Sequence, residues 1–261
     1  MGETLLPMLV VGTLVGGAAG YVGSLMVSYR MALVGDALGH VALPGIGLAL
    51  VWQLDPSLGA LGALLIGILV IWRLRETTLL PPDTLVGIVF VTSLALGFLI
   101  VPEPELLESL IGDITATTWL GAGIAGAACV IVFVVLSRIH AGMMLLNISE
   151  ELAIVQGISP SRYNLMYLLV IAGLVALGVK IVGTLLVGAL VIIPAAAARL
   201  VTRNLRQYVR TSIAFGAGSC VSGTLLFELT GFPAGPSIIL VNAGLFLAAL
   251  LTRGFFAGKA E

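Results

Sequence analysis

Apolar residues in this 261-residue chain run in long blocks broken by short polar stretches. A helix crossing the hydrocarbon core of a bilayer needs about 20 mostly apolar residues. On that scale nine blocks read as spans, at 5–28, 32–54, 57–73, 84–101, 119–138, 163–179, 181–199, 209–229 and 236–252. The stretch 163–199 is interrupted only by Gly178, Lys180 and Gly183. A single helix of that length would overshoot the hydrocarbon, so it is divided into two short spans. The first block follows the acidic Glu3 and is longer than a signal-peptide core, so it is read as the first span. The expected fold class is therefore all-α, a polytopic transmembrane bundle of about nine helices.

Composition supports that reading. Fifty-nine per cent of the residues are apolar and 10% are charged, with a mean hydropathy of +1.18. Soluble domains carry about 25% charged residues, so the lipid bilayer is the expected solvent. The 33 glycines sit inside apolar runs, where they let helix backbones approach closely. The net charge of −1 argues against a nucleic-acid partner. Cys129 and Cys220 lie within apolar stretches and read as small buried residues, not as a disulfide or a metal clip.

The basic residues orient the bundle. With the N-terminus outside, Arg30, Arg73, Arg75, Arg138, Arg162, Arg199, Arg203, Arg206, Arg210, Arg253 and Lys259 fall on the cytoplasmic side, and Lys180 alone falls outside. That is the positive-inside pattern, and merging 163–199 into one span would spoil it. The acids Glu103, Glu105, Glu108 and Asp113 fall in the outer loop, where LLESLIGDI reads as a short interfacial helix. The longest inner loop is expected from about Ile139 to Arg162. There is no internal repeat and no soluble domain, so residues 1–261 are read as one transmembrane domain.

Against this background a few polar residues stand out. Asp36 and His40 are four apart within RMALVGDALGHVALPGIGLALVW, and residues i and i+4 share a helix face. Pro44 has no N–H to offer the carbonyl of His40, so a bend and a free carbonyl oxygen are expected there. Carboxylate, imidazole and carbonyl are donors that Zn²⁺ or Mn²⁺ accepts. The same spacing suits a proton relay, or a hydrogen bond that pins two helices. Ionisable groups inside a membrane are functional by default, so the ion route is preferred. Glu228, near the outer end of the eighth span, either lines that route or pairs with a helix end. Pro194 breaks the seventh span before four alanines and reads as a packing kink or as a deformable pore-lining helix. In the inner loop, NISEELAIVQGISPSR reads as a short helix. Ser149 caps it, Glu150 and Glu151 occupy its first turn, and Gly157 and Pro160 close it.

Three segments, in this order, resemble the zinc/manganese permease family, the membrane subunits of bacterial and archaeal ABC importers for zinc, manganese and iron(II). They are GDALGHVALPGIGLAL, ISEELAIVQGI and VGTLLVGALVIIPAAAARL, and FPAGPSIIL resembles the stretch before the family's last span. The resemblance implies a homodimer in a prokaryotic cell membrane with its translocation path at the two-fold interface. It implies that Glu150, Glu151, Leu152, Ala153 and Gly157 belong to a coupling helix, within a loop at about 147–162, seated on an ABC ATPase subunit. It implies that Asp36 and His40 meet the metal in transit and that an extracytoplasmic metal-binding protein delivers it. One departure is the Gly231-Phe232-Pro233 stretch, where the family often carries an acid. Glu228, three residues before Gly231, is the candidate substitute.

No G-x-x-x-x-G-K-[ST] phosphate loop occurs, so ATP hydrolysis is expected in separate subunits, and no tightly bound cofactor is expected. An intramembrane protease is disfavoured by the lack of H-E-x-x-H, and an ion-coupled secondary transporter by the lack of internal repeats. An ABC permease for haem or cobalamin is the nearest alternative. It would carry a wide apolar cavity and no Asp–His pair.

Overall fold

The computed structural model describes residues 2–29, 31–101, 109–112, 114, 117–184 and 186–257. Ten helices make up this part of the chain: α1 (Gly2–Ser28), α2 (Ala32–Val51), α3 (Pro56–Thr77), α4 (Pro82–Ile100), α5 (Trp119–Ile148), α6 (Glu150–Val155), α7 (Pro160–Val182), α8 (Val187–Val201), α9 (Leu205–Thr230) and α10 (Ala234–Ala257). Eight of them are long and apolar enough to cross a membrane. The exceptions are α6 and the 15-residue α8, which at 1.5 Å per residue spans about 22 Å.

Local chemistry starts these helices where they start. Asp55 accepts the N–H of Ser57 at 2.7 Å and Pro56 takes the first position of α3. Thr118 caps α5 through the N–H of Gly121, Asn204 caps α9 through that of Gln207, and Gly231 ends α9 at φ 72°. Each cap satisfies a donor or acceptor that the helix itself leaves open.

Packing depends on very close backbone contact. A Cβ placed on Gly16 of α1 would collide with the carbonyl oxygen of Gly216 on α9, and the reverse is also true. Gly45 of α2 and Gly59 of α3 are locked together in the same way. One turn from the first contact, Ser212 Oγ donates to the carbonyl of Gly20 at 2.6 Å. Hydrocarbon offers no hydrophobic drive between helices, so small residues and interhelical hydrogen bonds do this work. Short α8 is wedged among α1, α2, α7, α9 and α10. Cys129 and Cys220 are buried and free.

Cross-chain contacts sort the helix ends into two sets. At one end Trp72 Nε1 donates to Ser161 Oγ at 3.1 Å, and Asn147 Nδ2 donates to the carbonyl of Ser28 at 3.3 Å. At the other, Thr184 N–H donates to the carbonyl of Ser109 at 3.0 Å, and the charge of Lys180 reaches Asp55. Arg73, Arg75, Arg162, Arg199 and Arg203 belong to the first end and Lys180 to the second. Arg30, Lys259, Glu103, Glu105, Glu108 and Asp113 lie outside the described residues, as do Leu106 and Leu107 of the LLESLIGDI segment, in which Ser109, Leu110 and Ile111 form a helical turn.

Three expectations are corrected. The helix expected to end at 138 continues to Ile148, because AGMMLLNI is rich in helix formers and holds no proline, and the exposed Arg138 is carried on its surface. The division of 163–199 falls at Gly183, not at Lys180. Gly178 and Lys180 stay helical, and Gly183 takes φ 83°, a conformation open to glycine and strained for other residues. Pro160 opens α7 at its first position rather than closing α6.

The Asp55 carboxyl is held below the usual carboxylate range, chiefly by the Ser57 N–H, with Lys180 a lesser cause. A depressed folded-state value makes the contribution complete above the ordinary range, and it is lost as pH falls through the folded value. Asp55→Ala is therefore expected to lower stability in detergent by about 1 kcal/mol at neutral pH. The gap from wild type should narrow as pH falls below about 3.9. Thermal unfolding at several pH values checks this, and a gap independent of pH would show that the charged cap is not its source.

Candidate functional site

Helix α2 carries Asp36 and His40 on one face, one turn apart, and it packs against α3, α4, α7 and α8. His40 is 7% exposed. Its ring lies 5.3 Å from that of Phe90 on α4, tilted by 53°, and its Nδ1 is buried with no hydrogen-bond partner. Asp36 is half-buried. The two side chains share no hydrogen bond, so the helix-pinning alternative does not describe this arrangement.

What seats Asp36 is the start of α8. A Cβ on Gly188 would stand 2.7–2.8 Å from Cα, Cβ and Oδ1 of Asp36, so the carboxylate sits against the first turn of α8 only because residue 188 has no side chain. Helix N-termini favour negative charge. Between Asp36 and His40, Gly39 faces the turn that joins α7 to α8. Gly39, Gly188 and Phe90 were not singled out from the sequence. The glycines of GDALGH and LLVGAL were the only signal, and among 33 glycines it does not stand apart.

Pro44 lies within α2 without ending it. With Val41, Leu48, Thr92 and Ser93 it lines a groove of about 590 Å³ between α2, α3 and α4. The groove begins at Val41, the residue after His40, and none of its lining residues is ionisable. Pro194 is buried midway along α8. Glu228 is exposed near the end of α9. Among the described residues no three His, Cys, Asp or Glu side chains come together as a metal cage, so Glu228 does not join Asp36 and His40.

At the other end of the bundle α6 follows α5 directly. Ser149 Oγ accepts the N–H of Leu152 at 3.3 Å, and Glu150 and Glu151 sit exposed in the first turn. Gly157, at φ 79°, closes the helix as its N–H donates to the carbonyl of Ile154. Ala153 is fully buried, whereas Leu152, Ile154 and Val155 are 55%, 54% and 85% exposed. The sequence reading stressed the acids of this helix, and its apolar outer face is equally prominent.

The profile of the ABC 3 transport family matches residues 1–253. The high-affinity zinc uptake system membrane protein ZnuB of Haemophilus influenzae is 31% identical over 258 residues, covering 97% of this chain and 99% of that protein. The manganese import system permease protein ScaB of Streptococcus gordonii is 29% identical, over 92% and 88% of the two chains. Among solved structures, PsaBC from Streptococcus pneumoniae in complex with Fab superposes with a TM-score of 0.83 at 27% identity, over 95% of this chain and 91% of that one.

A methyl group at residue 188 must push Asp36 or α8 aside. Gly188→Ala is expected to lower thermal stability in detergent by about 1–3 kcal/mol. Gly173→Ala, whose added Cβ would meet no atom within 4 Å, should change it little. Equal midpoints for the two variants would refute the tight seating of Asp36.

Proposed function

Since this chain belongs to the ABC 3 transport family, we propose that it is the transmembrane permease subunit of an ATP-driven importer for a divalent metal ion, in the class of zinc, manganese and iron(II). The observation that carries the reading is the pair Asp36 and His40 in the interior of an apolar helix. One imidazole nitrogen there is buried and unpartnered, and relatives across nearly the whole chain are zinc and manganese importers. A haem- or cobalamin-sized cargo is less well supported. The α2–α3–α4 groove is apolar as such a cargo requires, but the Asp–His pair has no purpose in that scheme.

The chain acts as a single permease domain of nine crossings, with its N-terminus outside and its C-terminus inside a prokaryotic cell membrane. Segregation of the basic residues to one set of helix ends supports that orientation. Two copies form the translocation path at their interface. A metal-binding protein delivers the ion to the outer face, and ABC ATPase subunits bind the inner face. The metal is the cargo. Asp36 offers a carboxylate and His40 an imidazole, donors suited to zinc and to manganese. Such sites must hold the ion weakly enough to release it. Glu228 is placed to meet the ion only nearer the outer surface. Pro44 and Pro194 leave the carbonyls of His40 and Leu190 without a helical partner, which softens the two helices beside the route.

Helix α6 is the coupling element. Its buried Ala153 anchors it, while Glu150, Glu151, Leu152, Ile154 and Val155 face outward. ATP hydrolysis takes place in the partner subunits, so movement of α6 with the ATPase changes which side of the membrane the path faces.

Two experiments test this. In proteoliposomes containing the permease and its ATPase, ATP-dependent uptake of zinc or manganese is expected for wild type. It should fall by at least about tenfold, the equivalent of ~1.4 kcal/mol, in Asp36→Ala and His40→Ala. Variants that transport normally, or uptake without ATP, would overturn the mechanism. Separately, Glu151→Lys should reduce co-purification of the ATPase, and undiminished binding would remove α6 as the docking element.

A further inference from the structure

The connection between α7 and α8 is the unusual feature of the region around Asp36. Gly183 has φ 83°, Thr184 and Leu186 are in turns, and residue 185 lies outside the described residues. Non-helical backbone at membrane depth is tolerated only where protein clads it or where it borders a water-filled path. Here the cladding is specific. On the outer side Ser109 accepts the N–H of Thr184 at 3.0 Å. On the inner side the carbonyl oxygen of Thr184 would stand 2.5 Å from a Cβ on Gly39. Gly39 lies between Asp36 and His40, so the turn presses on α2 at the level of the polar pair. Gly188, four residues after Thr184, touches Asp36 itself.

Thr184 is 0% exposed, and its hydroxyl has no hydrogen-bond partner. The Nδ1 of His40 is buried and unpartnered in the same region. Burying such groups unpaired is costly, and a divalent ion that reached both would satisfy them. In broken transport helices, unwound backbone and helix ends are where transported ions are met.

We propose that Thr184 is a specificity-determining oxygen donor that the metal ion meets together with Asp36 and His40. This rests on the function proposed above. A carboxylate and an imidazole suit zinc well, whereas manganese prefers more oxygen donors and a higher coordination number. A hydroxyl beside the pair tilts the path towards manganese relative to what Asp36 and His40 would select by themselves.

The test is uptake of manganese and of zinc, each supplied alone, in proteoliposomes holding the permease and its ATPase. Thermal midpoint and ATP hydrolysis are followed in parallel. Thr184→Val removes the hydroxyl at nearly constant volume and is expected to lower the manganese-to-zinc uptake ratio by roughly tenfold, while Thr184→Ser keeps the wild-type ratio. Thr184→Cys exchanges the hard oxygen for a soft sulfur and is expected to shift the ratio further towards zinc. It serves as the deciding variant should Thr184→Val fail to fold. Uptake of both metals falling in equal proportion, or a ratio unchanged in a folded variant, would overturn the proposal and leave Thr184 a packing residue. If Asp36→Ala is inactive while the Thr184 variants keep the wild-type ratio, only this inference fails. If Asp36→Ala transports normally, the function proposed above and this inference fall together.

Discussion

A peptide group in hydrocarbon has no water to bind, so every N–H and C=O within the bilayer must find its partner inside the protein. This constraint produces the long uninterrupted helices, and it makes the break between α7 and α8 informative. Gly183 leaves helical geometry, and α8 begins at Val187. Gly183 and Thr184 can lie at depth only because Ser109–Gly112 pack against them and Gly39 admits Thr184 from α2. Both accommodations bring the break to the one helix that carries an Asp and a His. Placement of the polar pair and placement of the break are thus consequences of the same backbone requirement.

Much of the fold was legible because hydropathy and charge are direct readouts of the lipid environment. The blocks at 5–28, 32–54, 84–101 and 209–229 correspond closely to α1, α2, α4 and α9. What could not be read was where a helix stops when several weak breakers compete. Lys180 looked like the boundary because a charge is costly in lipid. A lysine in the last turn of a helix can place its ammonium beyond the apolar zone, so it sets no boundary. The backbone geometry of Gly183 does. Likewise the apolar residues after Arg138 have no reason to stop being helical merely because they have reached the membrane surface.

The candidate site was legible only in part. Asp36 and His40 announce themselves because ionisable groups inside an apolar run are rare and expensive. Their surroundings do not, since Gly39, Gly188 and Thr184 act through what they leave empty or unpaired, and absence of a side chain has no signature in a sequence with 33 glycines. Glu228 is the converse case. It is an acid within an apolar block, yet it faces outward near the end of α9, because a block's apolar character says nothing about which face of its helix meets the protein.

Close backbone contacts also bear on how such a subunit can move. Gly16 with Gly216 joins α1 to α9, Gly45 with Gly59 joins α2 to α3, Gly23 lies on the carbonyl of Val191 in α8, and Gly188 lies on Asp36 of α2. Interfaces of this kind interlock atom against atom, and close-packed surfaces have few discrete arrangements rather than a continuum. Sliding α2 past α8, or α1 past α9, would force backbone into backbone at several places at once. Alternating access within one copy would have to undo these contacts together. Rocking of one intact copy against another leaves all of them in place and moves only faces that are exposed in the single chain. For the proposed dimer the second route therefore carries the smaller structural cost. If α6 is the docking element as proposed, its outward apolar face, held to the bundle by Ala153, would give an ATPase a grip on the whole body rather than on one loose helix.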